Sequence, residues 1–304
     1  MTLGPIVDTH VHFWDLEGGL SYPWLTDPGS ENWRWNYLPQ QWRDDAHELD
    51  VVATVHVQAE MDHDDDPVKE TAWLAQLGEQ QPEAPLPTVC VGYADLRAPD
   101  LADVLDRHQR FSLFRGVRQE AWFDPDSTRR DVLRTNLLDD PAWIAGLSIL
   151  ARRELSFDLL VWAHQLKQAA GVFRELPDLT VILEHTGVPA DPSAEARAVW
   201  REGMRDFAEQ VPNSVLKISG LIFVSETWSL DVVEPVVREA IEIFGPSRCM
   251  FGSNFPVDRP AVSYGELWSA YDEITSDLSA SERATMFSEL AARIYRIDLA
   301  REAA

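Results

Sequence analysis

The sequence predicts an α/β protein built as a single (β/α)8 TIM barrel over residues 1–304, and three observations carry that expectation. Eight short runs rich in β-branched residues alternate with longer stretches of helical period, the pattern of parallel strands buried on both faces. The length of 304 residues suits one barrel, which takes about 250 residues and more with insertions. No G-x-G-x-x-G follows the first strand, so a doubly wound sheet loses its usual dinucleotide signature.

In order, the strands read as PIVDTHVH (5–12), VVATVHVQAE (51–60), TVCVGYADL (88–96) and FRGVRQE (114–120), then LSFDLLV (155–161), LTVILEHTG (179–187), VLKISGL (215–221) and CMFGSN (249–254). Helical periodicity fills the intervals at 67–80, 100–109, 141–152, 163–175, 193–210 and 231–244, with a last stretch at 281–296. Asp or Ser stands near several of these starts, where a side-chain oxygen caps a free backbone N–H.

One connection departs from the rhythm. Residues 13–40 are too long and too rich in Gly, Pro and Trp for a simple turn, and ordered loops of that length tend to be functional. The segment leaves the C-terminal end of the first strand, where barrel enzymes build their sites, so Trp14, Trp24, Trp33 and Trp35 are expected in a lid or pocket wall. An aromatic-packed structural flap is the equal alternative for any single Trp.

The formal charge of −25 would repel phosphate backbones and anionic membrane surfaces, which argues against nucleic-acid and membrane partners. The run DHDDD at 62–66 reads as an exposed loop. Cys90 and Cys249 sit in apolar runs, as reduced buried thiols do, and no disulfide is expected. The opening MTLGPIVDTH has no basic region followed by an apolar core, so a cytoplasmic location is expected.

Chemistry concentrates at the strand ends. Asp8, His10 and His12 alternate onto one face of the first strand, and two neutral imidazoles at that spacing can share a divalent ion of the zinc kind. His185 ends the sixth strand and completes a three-nitrogen set at the same mouth. Arg118 ends the fourth strand, where a guanidinium can hold a carboxylate in two parallel bonds, with a salt bridge to Glu120 as the alternative. Lys217 and Ser219 share a face of the seventh strand. A lysine inside a barrel is costly unless paired or used, so Lys217 reads equally as a functional group and as half of a buried ion pair. For Asp158 the same argument favours pairing with a Lys or Arg.

Taken in order, DTHVHFWD, VHVQAE, GVRQ, LSFDLLV, ILEHTGVP, LKISGL and MFGSNFPVD resemble the amidohydrolase superfamily over nearly the whole chain. The similar branch holds metal-dependent hydrolases that include sugar-acid and pyrone-dicarboxylate lactonases. The resemblance implies a distorted barrel that opens a lactone or related ester of a small organic acid with water. It makes His10, His12 and His185 the metal or carbonyl-polarising set and Arg118 the grip on an anionic substrate; Lys217, from its face of the seventh strand, and Trp14, from the loop after the first strand, are expected as further substrate contacts. Asn254 falls where the family has an aspartate. An amide has no basic form near neutral pH, so the base is sought at Asp258, Glu120, Glu60 or His185, with Asp258 slightly ahead of Glu120. One divalent metal, zinc first, is expected, or a metal-independent site because Asn254 replaces the carboxylate. The alternatives are a metal-dependent decarboxylase of a small unsaturated or aromatic acid, and a barrel that binds an organic acid without catalysis. Self-association through tryptophans of the 13–40 loop is left open.

Overall fold

All eight expected strands form and lie in one sheet in chain order, each pairing parallel with the next. This computed structural model describes residues 3–81, 84–124, 133–189, 192–224 and 228–299. The strands are β1 (Ile6–Val11), β2 (Val51–Val57), β3 (Val89–Gly92), β4 (Phe114–Arg118), β5 (Ser156–Leu159), β6 (Val181–Leu183), β7 (Val215–Ile218) and β8 (Cys249–Phe251). Closure between β8 and β1 is made just past the end of β8. Asn254 N–H donates to His10 O at 2.7 Å and His12 N–H to Phe255 O at 2.8 Å, with Val11 bridged to Phe255. That seam is where the histidines project.

Helices α1 (Pro39–Ala46) to α8 (Tyr264–Ile274) follow the strands, with α2 at Val68–Glu79, α3 at Leu101–His108, α4 at Pro141–Arg152, α5 at Leu166–Phe173, α6 at Ala194–Gln210 and α7 at Leu230–Phe244. Neither α1 nor α8 was legible as a helix. The first, PQQWRDDA, buries only Pro39, Trp42 and Ala46, and the second begins with a glycine at its second position. Ser263 and Glu266 nevertheless cap α8 reciprocally, a stabilising device that needs no long apolar stripe. The stretch expected at 281–296 is divided into α9 (Ala280–Ala284), a π turn (Thr285–Glu289) and α10 (Leu290–Tyr295). No described helix is long and apolar enough to cross a membrane.

Leu290, Ala291 and Tyr295 pack against Val7, Val55, Val89, Val215 and Met250, so the C-terminal helix plugs the barrel from the side opposite the strand tips. Above the plug lies an ionic layer. Lys217 Nζ is 2.6 Å from Asp158 Oδ2 and 3.6 Å from Glu184 Oε1, and the Tyr295 hydroxyl donates to Asp158 Oδ2 at 3.2 Å. All three charged side chains are fully buried. Lys217 thus forms the buried ion pair that the sequence allowed, beneath the histidines. Lys217→Met leaves two buried carboxylates short of a cation and is expected to cost about 3–5 kcal/mol in urea unfolding, whereas Lys217→Met with Asp158→Leu recovers most of it.

Candidate active site

The site begins with an irregularity in β1. Val7 belongs to the interior cluster, so strict alternation would turn Thr9 and Val11 inward. The pairing register with β2 shifts between Asp8 and Val11, and the shift brings His10 and His12 inward instead. Asp8 does not share their face, contrary to the alternation argument. Its carboxylate accepts from Ser253 N at 2.8 Å, His10 N at 3.2 Å and the Tyr264 hydroxyl at 2.8 Å, fastening β1 to the end of β8 and to α8. Burial raises it to about 6. Gly252 permits this approach, since a Cβ there would lie 2.8 Å from that of His10.

The two imidazoles are held by their far nitrogens. His12 Nδ1 lies 2.7 Å from Val57 O, which can only accept, so the proton is on Nδ1 and Nε2 is bare. His10 Nδ1 lies 3.2 Å from Glu184 Oε1, which favours the same tautomer. The bare Nε2 atoms then face each other at 3.1 Å. Asn254 Nδ2 donates to Asp258 Oδ1 at 2.8 Å, which turns Oδ1 of the amide toward His12 Nε2, 3.3 Å away. With His10 in that tautomer, three acceptors converge with no proton between them, an arrangement that is repulsive without a cation; with the proton on His10 Nε2, the same contact is a hydrogen bond to His12. Two nitrogens on a tetrahedral zinc stand about 3.3 Å apart for Zn–N bonds near 2.0–2.1 Å, so the residues fit such an ion. Outer partners of this kind, a carboxylate and a carbonyl behind the imidazoles, are how metal-binding histidines are commonly oriented. Burial, with Arg118 also acting on His12, keeps both imidazoles neutral by lowering them well below the usual histidine range.

His185 joins from β6. Its ring lies 4.7 Å from that of His10, and its Nδ1 is 3.1 Å from Ser219 Oγ. Burial lowers it to about 4. The expected three-histidine set is thus arranged around His10: His12 and Asn254 on one side, Glu184 and His185 on the other, where His10, Glu184 and His185 present ligand atoms within 4.8 Å of one another. Glu184 is the candidate site residue that sequence reasoning missed. It is fully buried and lies between His10, Lys217 and Arg118, whose Nη1 donates to its Oε2 at 3.3 Å. Burial opposes its charge, but His10, Arg118 and Lys217 outweigh burial and hold it well below the usual carboxylate range.

The backbone explains how adjacent residues both face inward. Glu184 is extended, whereas His185, Thr186, Gly187 and Val188 all have positive φ between 49° and 68°. A left-handed run with three non-glycine residues is costly and marks a site that its surroundings impose. Gly220, with φ of 60°, gives the His185 ring its space, because a Cβ there would overlap the imidazole.

Arg118 is committed to protein partners. Besides Glu184, its Nη2 donates to Gln58 O at 2.6 Å and lies 3.9 Å from Glu120 Oε1, while Nε has no partner among the described residues. Burial works against its charge, but Glu184, Glu120 and Glu60 hold it protonated. Glu120 Oε2 in turn accepts from the Trp122 indole at 2.9 Å. Trp14 is not brought to the cluster. Its buried indole donates to Trp35 O at 2.6 Å, and its backbone pairs with Tyr37, within the 13–40 segment. That segment crosses the mouth through other tryptophans: Trp24 donates to Ala59 O at 2.8 Å and Trp33 to Val257 O at 3.0 Å.

Asp258 stands behind Asn254. Burial pushes its carboxyl up to about 7, against the stabilising hydrogen bond from Asn254 and those from the backbone at Ile222 and Leu221. Its Oδ2 has no partner among the described residues.

Comparison with known proteins fits this geometry. A family model described as amidohydrolase matches residues 7–297. A Sinorhizobium fredii protein named only as uncharacterised is 37% identical over 299 residues, covering 96% of this chain and 98% of that one. The L-fucono-1,5-lactonase of Burkholderia multivorans is 32% identical over 303 residues, with 96% of each chain covered. A crystal structure of an amidohydrolase from Burkholderia multivorans with bound zinc superposes with a TM-score of 0.83 at 29% identity, over 97% of this chain and 100% of that one.

Proposed function

Because this chain belongs to the amidohydrolase family, we propose that it opens the ring of a small sugar-acid lactone with water, using the strand-tip cluster around His10 and His12. The observation that carries the reading is the convergence of His10 Nε2, His12 Nε2 and Asn254 Oδ1 beside a carboxyl tuned to about 7. The Burkholderia multivorans relative named L-fucono-1,5-lactonase, aligned over nearly all of both chains, supports it.

A divalent ion, with zinc favoured by the imidazole donors and by the zinc-bound neighbour, would be held by His10, His12 and Asn254, with His185 and Glu184 opposite, and would polarise the lactone carbonyl. Asp258 takes the proton of the attacking water at Oδ2, the oxygen left free when Oδ1 accepts from Asn254. Asn254 thereby orients the base without being one. Glu120 is the weaker candidate, because its Oε2 is held by the Trp122 indole. His185 stays neutral above about pH 4 and acts as a hydrogen-bonding or ligating imidazole.

An uncharged lactone suits this site better than a substrate carboxylate. Both Nη groups of Arg118 already face protein acceptors, and Glu60, Glu120 and Glu184 surround it. Arg118 therefore holds Glu184 in place, and the carboxylate grip expected from the sequence would require displacing one of these partners. To test the reading, the enzyme is incubated with L-fucono-1,5-lactone and, separately, with 2,6-dihydroxybenzoate, and products are followed by NMR. Ring opening to the free acid is expected; carbon dioxide release from the aromatic acid with the lactone untouched would reverse the assignment.

A further inference from the structure

Beside His185 stands a small apolar cluster separate from the main core: Trp122, Leu160 and Val188, with Trp162 and Phe223 partly exposed against it. Its rings form a continuous path from the histidines. His185 lies 5.3 Å from Phe223, Phe223 lies 5.8 Å from Trp122, and Trp122 lies 4.8 Å from Trp162. These residues come from the loops after β4, β5, β6 and β7, so the wall lines the half of the mouth opposite the 13–40 segment, which bonds to the tips of β2 and β8.

Resting on the lactonase reading above, we propose that this wall is the specificity-determining surface: it packs the apolar side of the lactone ring and the exocyclic carbon, and so selects substrates deoxygenated there. Aromatic rings give large apolar contact at low entropic cost, and pockets for small molecules pair such walls with few fixed polar groups. Here the polar groups are the histidines, and the wall is pinned. Glu120 accepts from the Trp122 indole and reaches toward Arg118, so Glu120 is a positioning residue that couples the wall to the Arg118–Glu184 pair. This gives a use to the carboxylate that the sequence offered as a base. An apolar wall offers a hydroxyl on the exocyclic carbon no partner among its ring carbons. It discriminates modestly, since a hydrophobic surface rejects an added hydroxyl by no more than about 10²-fold.

The test uses L-fucono-1,5-lactone and L-galactono-1,5-lactone, which differ by one hydroxyl on the exocyclic carbon. The wild-type enzyme is expected to favour the deoxy lactone by about 10–100-fold in kcat/KM. Phe223→Ala and Trp162→Ala are expected to bring that ratio toward unity, chiefly by raising KM for the deoxy lactone while kcat changes little. Phe223→Leu, which keeps an apolar side chain, retains most of the preference. Circular dichroism and melting confirm that each variant is folded. If folded variants keep the wild-type ratio, or the wild type shows no preference, the wall has no such role and this inference alone fails. If the wild type opens neither lactone, the lactonase reading fails and takes this inference with it.

Discussion

Asp258→Asn is expected to lower kcat by about 10²–10⁴-fold, the range for loss of a positioned general base. The substitution keeps the shape of the side chain and an oxygen for the Asn254 amide, so geometry is preserved while basicity is lost. The pH profile separates this from a structural effect. With the carboxyl raised to about 7, wild-type activity rises through that pH and falls about tenfold per unit below it. In the variant that ascending limb disappears. Stability moves the other way: the folded protein binds the Asp258 proton more tightly than the unfolded chain, so this group stabilises most at low pH. That contribution is lost as pH rises from about 4 to about 7. Replacement by a neutral amide removes that dependence, and the variant is expected to remain folded at pH 8.

His12→Ala removes one of the three converging acceptors and is expected to abolish stoichiometric metal in elemental analysis, with turnover falling by more than about 100-fold. Glu184→Gln addresses the same centre from behind. It leaves His10 without its anionic partner and Arg118 without its main counter-charge, so a loss of about 10–100-fold in metal affinity is expected, read by competition with a chelator. Equal metal content and equal affinity in both variants would show that the nitrogens face each other for another reason.

The barrel was legible because parallel strands buried on both faces leave a strong signal of apolar runs, and all eight fell where that signal lies. The polar helix at 39–46 and the glycine-interrupted helix at 264–274 carried no comparable stripe and were held by packing and caps instead. At the site, His10 and His12 could be paired because both stand at the end of one strand, yet Asp8 could not be excluded without knowing the register shift in β1. Glu184 was hidden by its neighbour. Alternation on a strand turns adjacent residues to opposite faces, and only the left-handed turn at 185–188 lets both Glu184 and His185 point inward. Asp258 was accessible to reasoning through the turn after Asn254, but its raised pKa depends on burial that only the fold reveals. Trp14 was offered to the substrate by the loop after β1 and Lys217 by its place on β7, whereas packing pairs them with Trp35 and with Asp158.

The most direct test of the account is the initial rate of proton release from L-fucono-1,5-lactone in weak buffer, compared between the wild-type protein and His12→Ala at equal folded concentration. The account predicts release by the wild type well above the spontaneous rate and loss of nearly all of it in the variant. Release at the spontaneous rate by both proteins, or undiminished release by His12→Ala, would contradict it.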